Sequence, residues 1–370
     1  MDGRSRTARR HHRAFAAAVA LTAGIVLGGC GSSPTSTSPP ETKAGSSDVE
    51  SVLSSAEKLS GQEQIDFLKT AAAKEGGPLR LYTSWSANSI DAIEQAFEKA
   101  YGIEVESYRA SSQNLSQRVD QESSAGYDKG ADFVEMRGRE LYQLDSEGKL
   151  RGFRGDFDAD VPDYAKGGNW TADRLNVIVP CWNTNKVKPQ DVPTTYEDLT
   201  APKWRGRLAI EQEDANWFQT LFEHFVANGM SEQEAEQYFR TIVDNGSVVN
   251  GHTEMQNFIV AGQYDLGIDC YTYVTDGQKA DGAPTDYAPI VKPAVIQPNG
   301  VSILKSAKHP ASAALFYRWI LTDGQRLLTD TGNTAVTQPN VNDGIPLDIE
   351  GFNKEADKWT TLYDSILSRR

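Results

Sequence analysis

The sequence predicts an α/β fold of two lobes. Two observations carry this. Strands alternate with helices in a repeated unit from residue 79 onward, the pattern of βαβ units around a parallel sheet. About 290 residues follow the leading segments, enough for two lobes.

The first element sets the compartment. Arg4, Arg6, Arg9, Arg10 and Arg13 face a single acid, Asp2, and an apolar run follows from Ala14 to Gly29. The run is shorter than the ~20 residues that span a bilayer as a helix. A basic segment, a short apolar segment and small residues before a cut describe a signal peptide over 1–29. Leu27-Gly28-Gly29-Cys30 resembles the bacterial lipobox, which implies lipidation of Cys30 as the first mature residue. Gly28 departs from the commonest residue at its place. The stretch "GSSPTSTSPPETKAGSS" has no apolar periodicity, so 30–47 reads as a disordered tether. The expected location is the outer face of the cytoplasmic membrane, held by a lipid.

Residues 48–77 read as a helical lead-in. Ser60 and Glu63 are spaced for a capping box. Ile65, Leu68 and Ala72 fall on one helical face, and Gly76-Gly77-Pro78 ends it. The repeat follows: strands at 79–83, 103–108 and 131–136, helices at 89–102, 114–126 and 138–150. Ligands bind beyond the carboxyl ends of such strands. That selects three loops: Thr83 to Asn88, Arg109 to Gln113, and Arg137 onward. A second α/β region has strands at 174–184, 207–210 and 264–273, with helices near 217–228, 231–244 and 253–262. Residues 287–304 read as an extended return to the first lobe. Helical patterns at 309–332 and 352–369 close the chain.

Composition narrows the function. The chain carries 37 basic and 51 acidic residues, and five of the arginines lie in the signal segment. An acidic body lacks the clustered cations that phosphate neutralisation requires, so nucleic acid is excluded as a partner. No H-E-x-x-H, G-x-S-x-G or P-loop occurs. No enzyme is indicated, although paired carboxylates keep a secreted hydrolase as an alternative.

"LYTSWSANSIDAIEQAFEKAYGIEVESYRASSQNLSQRV" resembles the opening of bacterial extracellular solute-binding proteins of ABC importers, the group that includes ferric-ion, thiamine and polyamine binders. "CWNTNKVKPQDVPTTYEDLTAPKWRGRLAI", "NFIVAGQYDLGI" and "SAKHPASAALFYRWILTDGQ" match in register, and the likeness covers roughly 78–340. "LTDGQ" is about one residue tighter than the family spacing. The resemblance implies a type II periplasmic-binding-protein-like fold, with lobes joined by crossing strands and a solute cleft between. Lobe 1 is expected from 78–173 with 285–340, and lobe 2 from 174–284 with 341–370. It also implies a monomer that closes on a small solute and docks on a permease with its ATPase subunits. No cofactor is expected.

Ser84, Trp85 and Ser86 offer hydroxyls and an indole before a helix N-terminus, where polar or anionic groups are favoured. Capping alone also accounts for Ser86. Ser112 repeats the chemistry, and Arg137 can pair an anion or lie solvated. Asp214, Asn216 and Trp217 face them from the second lobe. Tyr271 and Tyr273 alternate along a strand and so share a face. Trp85, Trp217 and the two tyrosines either wall an organic solute or pack in the core. Ferric binders of this class use two adjacent tyrosines, a histidine and often a carboxylate. Here Thr272 separates the tyrosines, and His224, His252 and His309 are scattered, so no metal site is expected. Cys181 and Cys270 remain in an oxidising compartment and are expected to pair. Separately buried thiols are the alternative. The serine-rich loops with Arg137 favour a small organic anion or phosphorylated compound. Glu135, Asp214 and the aromatics suit an amine, and ferric ion is the third choice.

Overall fold

The computed structural model describes residues 46–127, 129–338 and 341–368. Cys30, the signal segment and residues 30–45 of the tether lie outside them. Two helices lead in, α1 (Ser46–Ala56) and α2 (Gly61–Ala72). Helix α1 starts at Ser46, so it takes in the last two residues of the expected tether. Ser60 is the α2 N-cap but makes no side-chain cap bond, so the expected capping box is absent. Leu53, Leu68 and Ala72 instead join one buried cluster with Ile93, Phe97, Phe133 and Phe316. The lead-in is thus part of the fold, held by apolar burial worth roughly 1.5–3 kcal/mol per large side chain.

The first repeat is β1 (Leu79–Thr83), α3 (Ala87–Tyr101), β2 (Val105–Arg109), α4 (Ser112–Ser124), β3 (Phe133–Arg137) and α5 (Gly138–Ser146). Helix α3 buries Ile90, Ile93 and Phe97 at helical spacing. It ends where Gly102 takes φ 69°, a left-handed cap that glycine adopts without penalty. Short β4 (Leu150–Arg151) precedes β5 (Thr171–Asn183), buried at every position. The second half holds β6 (Leu208–Glu211), α6 (Ala215–Ala227), α7 (Glu232–Asp244), β7 (Gly246–Val249), α8 (His252–Val260), β8 (Leu266–Tyr271) and α9 (Thr272–Ala280). After β9 (Thr285–Asp286) comes β10 (Val295–Leu304). The chain finishes with α10 (Pro310–Ile320), α11 (Gly324–Asp330), β11 (Thr334–Ala335), β12 (Ile345–Pro346), α12 (Ile349–Lys354) and α13 (Ala356–Leu367).

The sheet runs β2-β1-β3-β10-β5-β8-β6-β7. Strand β1 is parallel to β2 and β3, and β6 is parallel to β7 and β8. These parallel strands form two halves of one sheet. Strands β5 and β10 join them. Residues 171–178 of β5 pair antiparallel with β10, with a bulge near Asn299, and 178–182 pair antiparallel with β8. Helix α13 packs on α6 and α7, and α11 on α3. Cys181 on β5 and Cys270 on β8 are joined by a disulfide.

Two expected elements differ, and one strand was not anticipated. Strand β8 ends at Tyr271, and Tyr273 lies in the first turn of α9, so strand alternation does not place it. The extended stretch at 287–304 is a strand only from Val295. Strand β7 went unread because four residues give too short a periodic signal.

Candidate functional site

A cavity of about 580 Å³ opens at the carboxyl ends of the parallel strands of both halves. The β1–α3 loop contributes Ser84, the end of β2 through the first turn of α4 Arg109 to Asn114, and the end of β3 Arg137. The second half faces them with Glu211 at the end of β6 and Glu213 after it, Asn250 to Thr253 after β7, and Tyr271 at the end of β8 with Tyr273 after it. Arg174 and Asn176 of β5 and Asn299 of β10 form the floor. Strand direction is the cause: all six parallel strands point their carboxyl ends to this side, and the first turns of α4, α8 and α9 reach the cavity.

Charge is divided across this space. Arg109, Arg137 and Arg174 come from the first parallel half and from β5, while Glu211 and Glu213 come from the second half. Arg174 is 3 % exposed. Its guanidinium pairs with buried Glu135 at 3.1 Å and donates to Asn176 Oδ1 at 2.6 Å and Ser84 Oγ at 3.2 Å. Glu135 also accepts from Thr83 Oγ1 at 2.8 Å and from the Ser84 backbone N–H at 2.7 Å. This network fixes the β1–α3 loop against β5. Asp173 beside it is pushed well above the usual carboxylate range by burial, with Glu135 adding to the rise. Arg137 is held by Glu140 at 2.6 Å, and its backbone N–H donates to Ser112 Oγ at 3.1 Å.

In lobe 2, His252 stacks on Tyr271 with ring centroids 3.8 Å apart, and Tyr271 stacks on Tyr273 at 5.7 Å. The Tyr271 hydroxyl donates to Gln297 Oε1 at 3.0 Å. Burial works against a charge on His252, yet Asp214, Glu211 and Asp269 raise its pKa to about 9. Burial raises Glu211, with Asp214 adding to it.

Five expected site residues line the cavity: Ser84, Ser112, Arg137, Tyr271 and Tyr273. Asp214 sits behind the wall, fully buried, 3.2 Å from His252. Four expectations are corrected. Trp85 is 1 % exposed, donates its indole N–H to Asp173 at 3.0 Å and packs on Phe316. Trp217 is a core residue against Phe239. Asn216 is buried in the first turn of α6. Ser86 caps α3, accepting from the Ser89 N–H at 3.2 Å. Large apolar rings next to a loop find more area to bury inside than at a polar cleft.

Sequence reasoning missed Arg174, Asn176, Glu211, His252 and Asn299. Arg174 and Asn176 did leave a signal, as polar residues inside an apolar strand run. His252 left none: its contact with Tyr271 depends on the unread β7 and the turn after it.

A family model described as bacterial extracellular solute-binding protein matches residues 143–359. Iron uptake protein A2 of Synechocystis is 24% identical over 301 residues, 76% of this chain and 83% of the relative. The Fe(3+)-binding periplasmic protein of Serratia marcescens is 24% identical over 280 residues, covering 73% and 81%. Among solved structures, AfuA from Actinobacillus pleuropneumoniae, a periplasmic binding protein with exogenous fructose-6-phosphate bound, superposes with TM-score 0.66 at 20% identity over 80% of this chain and 99% of that one. Iron-bound HitA from Pseudomonas aeruginosa gives TM-score 0.64 at 21% identity over 79% and 99%. The fold is the two-lobe type II periplasmic binding fold. The chain belongs to the bacterial extracellular solute-binding proteins, the extracytoplasmic substrate-binding components of ABC importers.

Proposed function

We propose that this protein captures a small organic solute bearing an anionic group, such as a phosphorylated compound or a carboxylate, and delivers it to an ABC permease. One observation carries the reading: the cavity joins Arg109, Arg137 and Arg174 to the first turns of α4, α8 and α9. First-turn N–H groups lack intrahelical partners, and the helix dipole favours negative charge there. Asn250, Glu211 and Tyr273 then suit hydroxyl groups at the other end of the solute. Contacts from both lobes stabilise a closed state by their differential affinity for it. The protein works as a monomer, binds without turnover, and is tethered through lipidated Cys30. Cys30→Ala then releases it from membranes; a mutant that matures and fractionates as the parent does refutes the anchor.

A thermal-shift screen across organic phosphates, carboxylates, sugars, amines and metals tests the solute class. A ligand at 100-fold over its dissociation constant adds about 2.7 kcal/mol. Stabilisation by organic anions is expected. Stabilisation by amines alone overturns the reading.

Ferric ion is the second reading. It is favoured because Tyr271, Tyr273, His252 and Glu211 line one cavity, the donor types the resemblance attributes to ferric binders. Its mark is a visible phenolate-to-iron absorption that Tyr271→Phe and Tyr273→Phe abolish.

A further inference from the structure

Strands β5 and β10 pair as a ladder beneath the cavity. Asn176 is opposite Gln297, and Arg174 is opposite Asn299. Side chains two positions apart on a strand share a face, and directly opposed residues stand close together. The two rungs therefore place four polar side chains on one face of strands that are buried at every position. The first rung is joined across the strands. Asn176 Nδ2 donates to Gln297 Oε1 at 3.1 Å, and the Tyr271 hydroxyl donates to the same oxygen. The second rung is not joined. The terminal nitrogens of Arg174 are committed to Asn176, Ser84 and Glu135, and its Nε–H has no hydrogen-bond partner. Asn299 Oδ1 has none either. Asn299 is 1% exposed, and both residues line the cavity floor.

Buried polar atoms ordinarily find partners, and an unmet one destabilises the fold that holds it. A donor and an acceptor left open on opposed residues at a cavity wall suit a ligand atom that both accepts and donates. We propose that Arg174 and Asn299 form a hydroxyl-selecting pair, and that the solute is a hydroxylated organic anion, such as a hydroxy acid or a polyol phosphate. The inference rests on the proposed anionic solute class and adds the second group that the solute must carry. A hydroxyl accepts from Arg174 Nε and donates to Asn299 Oδ1 through one oxygen. An ionised carboxylate or phosphate oxygen only accepts, so it suits the arginine and is opposed by the carbonyl. An ammonium only donates, so it suits the carbonyl and is repelled by the guanidinium. Glu135, 3.1 Å from Arg174, holds the guanidinium in place, so its Nε–H is presented at a fixed point. A solute without the hydroxyl leaves both atoms unmet, which is how a buried polar site rejects an analogue that lacks one group.

The test is calorimetric titration of the full chain with matched probes: lactate against propionate, malate against succinate, and glycerol 3-phosphate against propyl phosphate. In the parent, the hydroxylated member of a bound pair is expected to bind roughly tenfold or more tightly than its counterpart. Asn299→Leu, similar in shape and without polar side-chain atoms, is expected to erase that preference. Equal affinities within the pairs in the parent, or an undiminished preference in Asn299→Leu, overturn the inference and leave the anionic reading standing. Binding by neither member of any pair counts against the anionic reading itself, and the inference falls with it. A second readout needs no solute. The melting temperature of solute-free Asn299→Leu is expected at or above the parent's, because the change removes an unmet acceptor rather than a bond. A marked fall, or failure to fold, would make Asn299 a structural residue and overturn the inference.

Discussion

Replacing Arg174 by Met tests the network that sets the cavity floor. The guanidinium and its partner Glu135 are 4% and 0% exposed, 3.1 Å apart. Methionine keeps the stem of the side chain and removes the charge, leaving the Glu135 carboxylate buried with only the hydroxyls and N–H of Thr83 and Ser84. Removing one partner of a buried pair typically costs about 3–5 kcal/mol. Unfolding entropy is roughly 2.1 cal/mol/K per residue, or about 0.7 kcal/mol/K for a body of about 320 residues. The expected fall in melting temperature is therefore about 4–7 °C. Circular dichroism melts of Arg174→Met, Glu135→Gln and the double variant measure it. The double variant is expected to lose less than the sum of the singles, because each single change already breaks the pair. A melting point for Arg174→Met within 1 °C of the parent would falsify the account of the network, and so would strict additivity.

Three more outcomes follow from the fold. Trp85→Ala is expected to lower stability by about 3–5 kcal/mol, as for other buried aromatics, and to leave solute affinity per folded molecule unchanged; a loss of affinity at intact stability contradicts its core position. The Cys181–Cys270 bridge spans 89 residues, and closing a loop of that length stabilises by about 4–5 kcal/mol on the chain-entropy account; mass spectrometry without reductant should find the linked peptides, and free thiols refute it. The pKa of His309 is raised above its ordinary 6.5 chiefly by the hydrogen bond to Asp132, 2.8 Å away. Its contribution is full below pH 6.5 and is lost as pH rises through the folded value. His309→Gln should flatten that decline, and an unchanged pH profile refutes the assignment.

The βαβ repeat was legible because period and length agreed. Strands β1 to β3 fall within two residues of the sequence reading, and the loops after them reach the cavity through Ser84, Arg109 and Arg137. Choosing residues within those loops was harder. Ser84 and Trp85 are neighbours with similar expectations, yet one lines the cavity and the other enters the core. That choice depends on the space beside Asp173 and Phe316, which comes from segments more than 80 residues away. Tyr271 and Tyr273 reach the cavity together, but a helix start places the second one. His252 meets Tyr271 only through tertiary packing, so its place among scattered histidines could not be read.

The most direct test of the central claim is calorimetric titration of the best organic anion from the screen against the parent and three variants. Arg137→Ala removes a cavity cation of lobe 1, and Tyr273→Ala removes an aromatic wall of lobe 2. Lys358→Ala changes an exposed residue of α13 paired with Glu355. A solute held between the lobes should lose at least tenfold in affinity in each of the first two and nothing in the third. Parental affinity in both Arg137→Ala and Tyr273→Ala, with melting points preserved, would place the solute elsewhere and contradict the account.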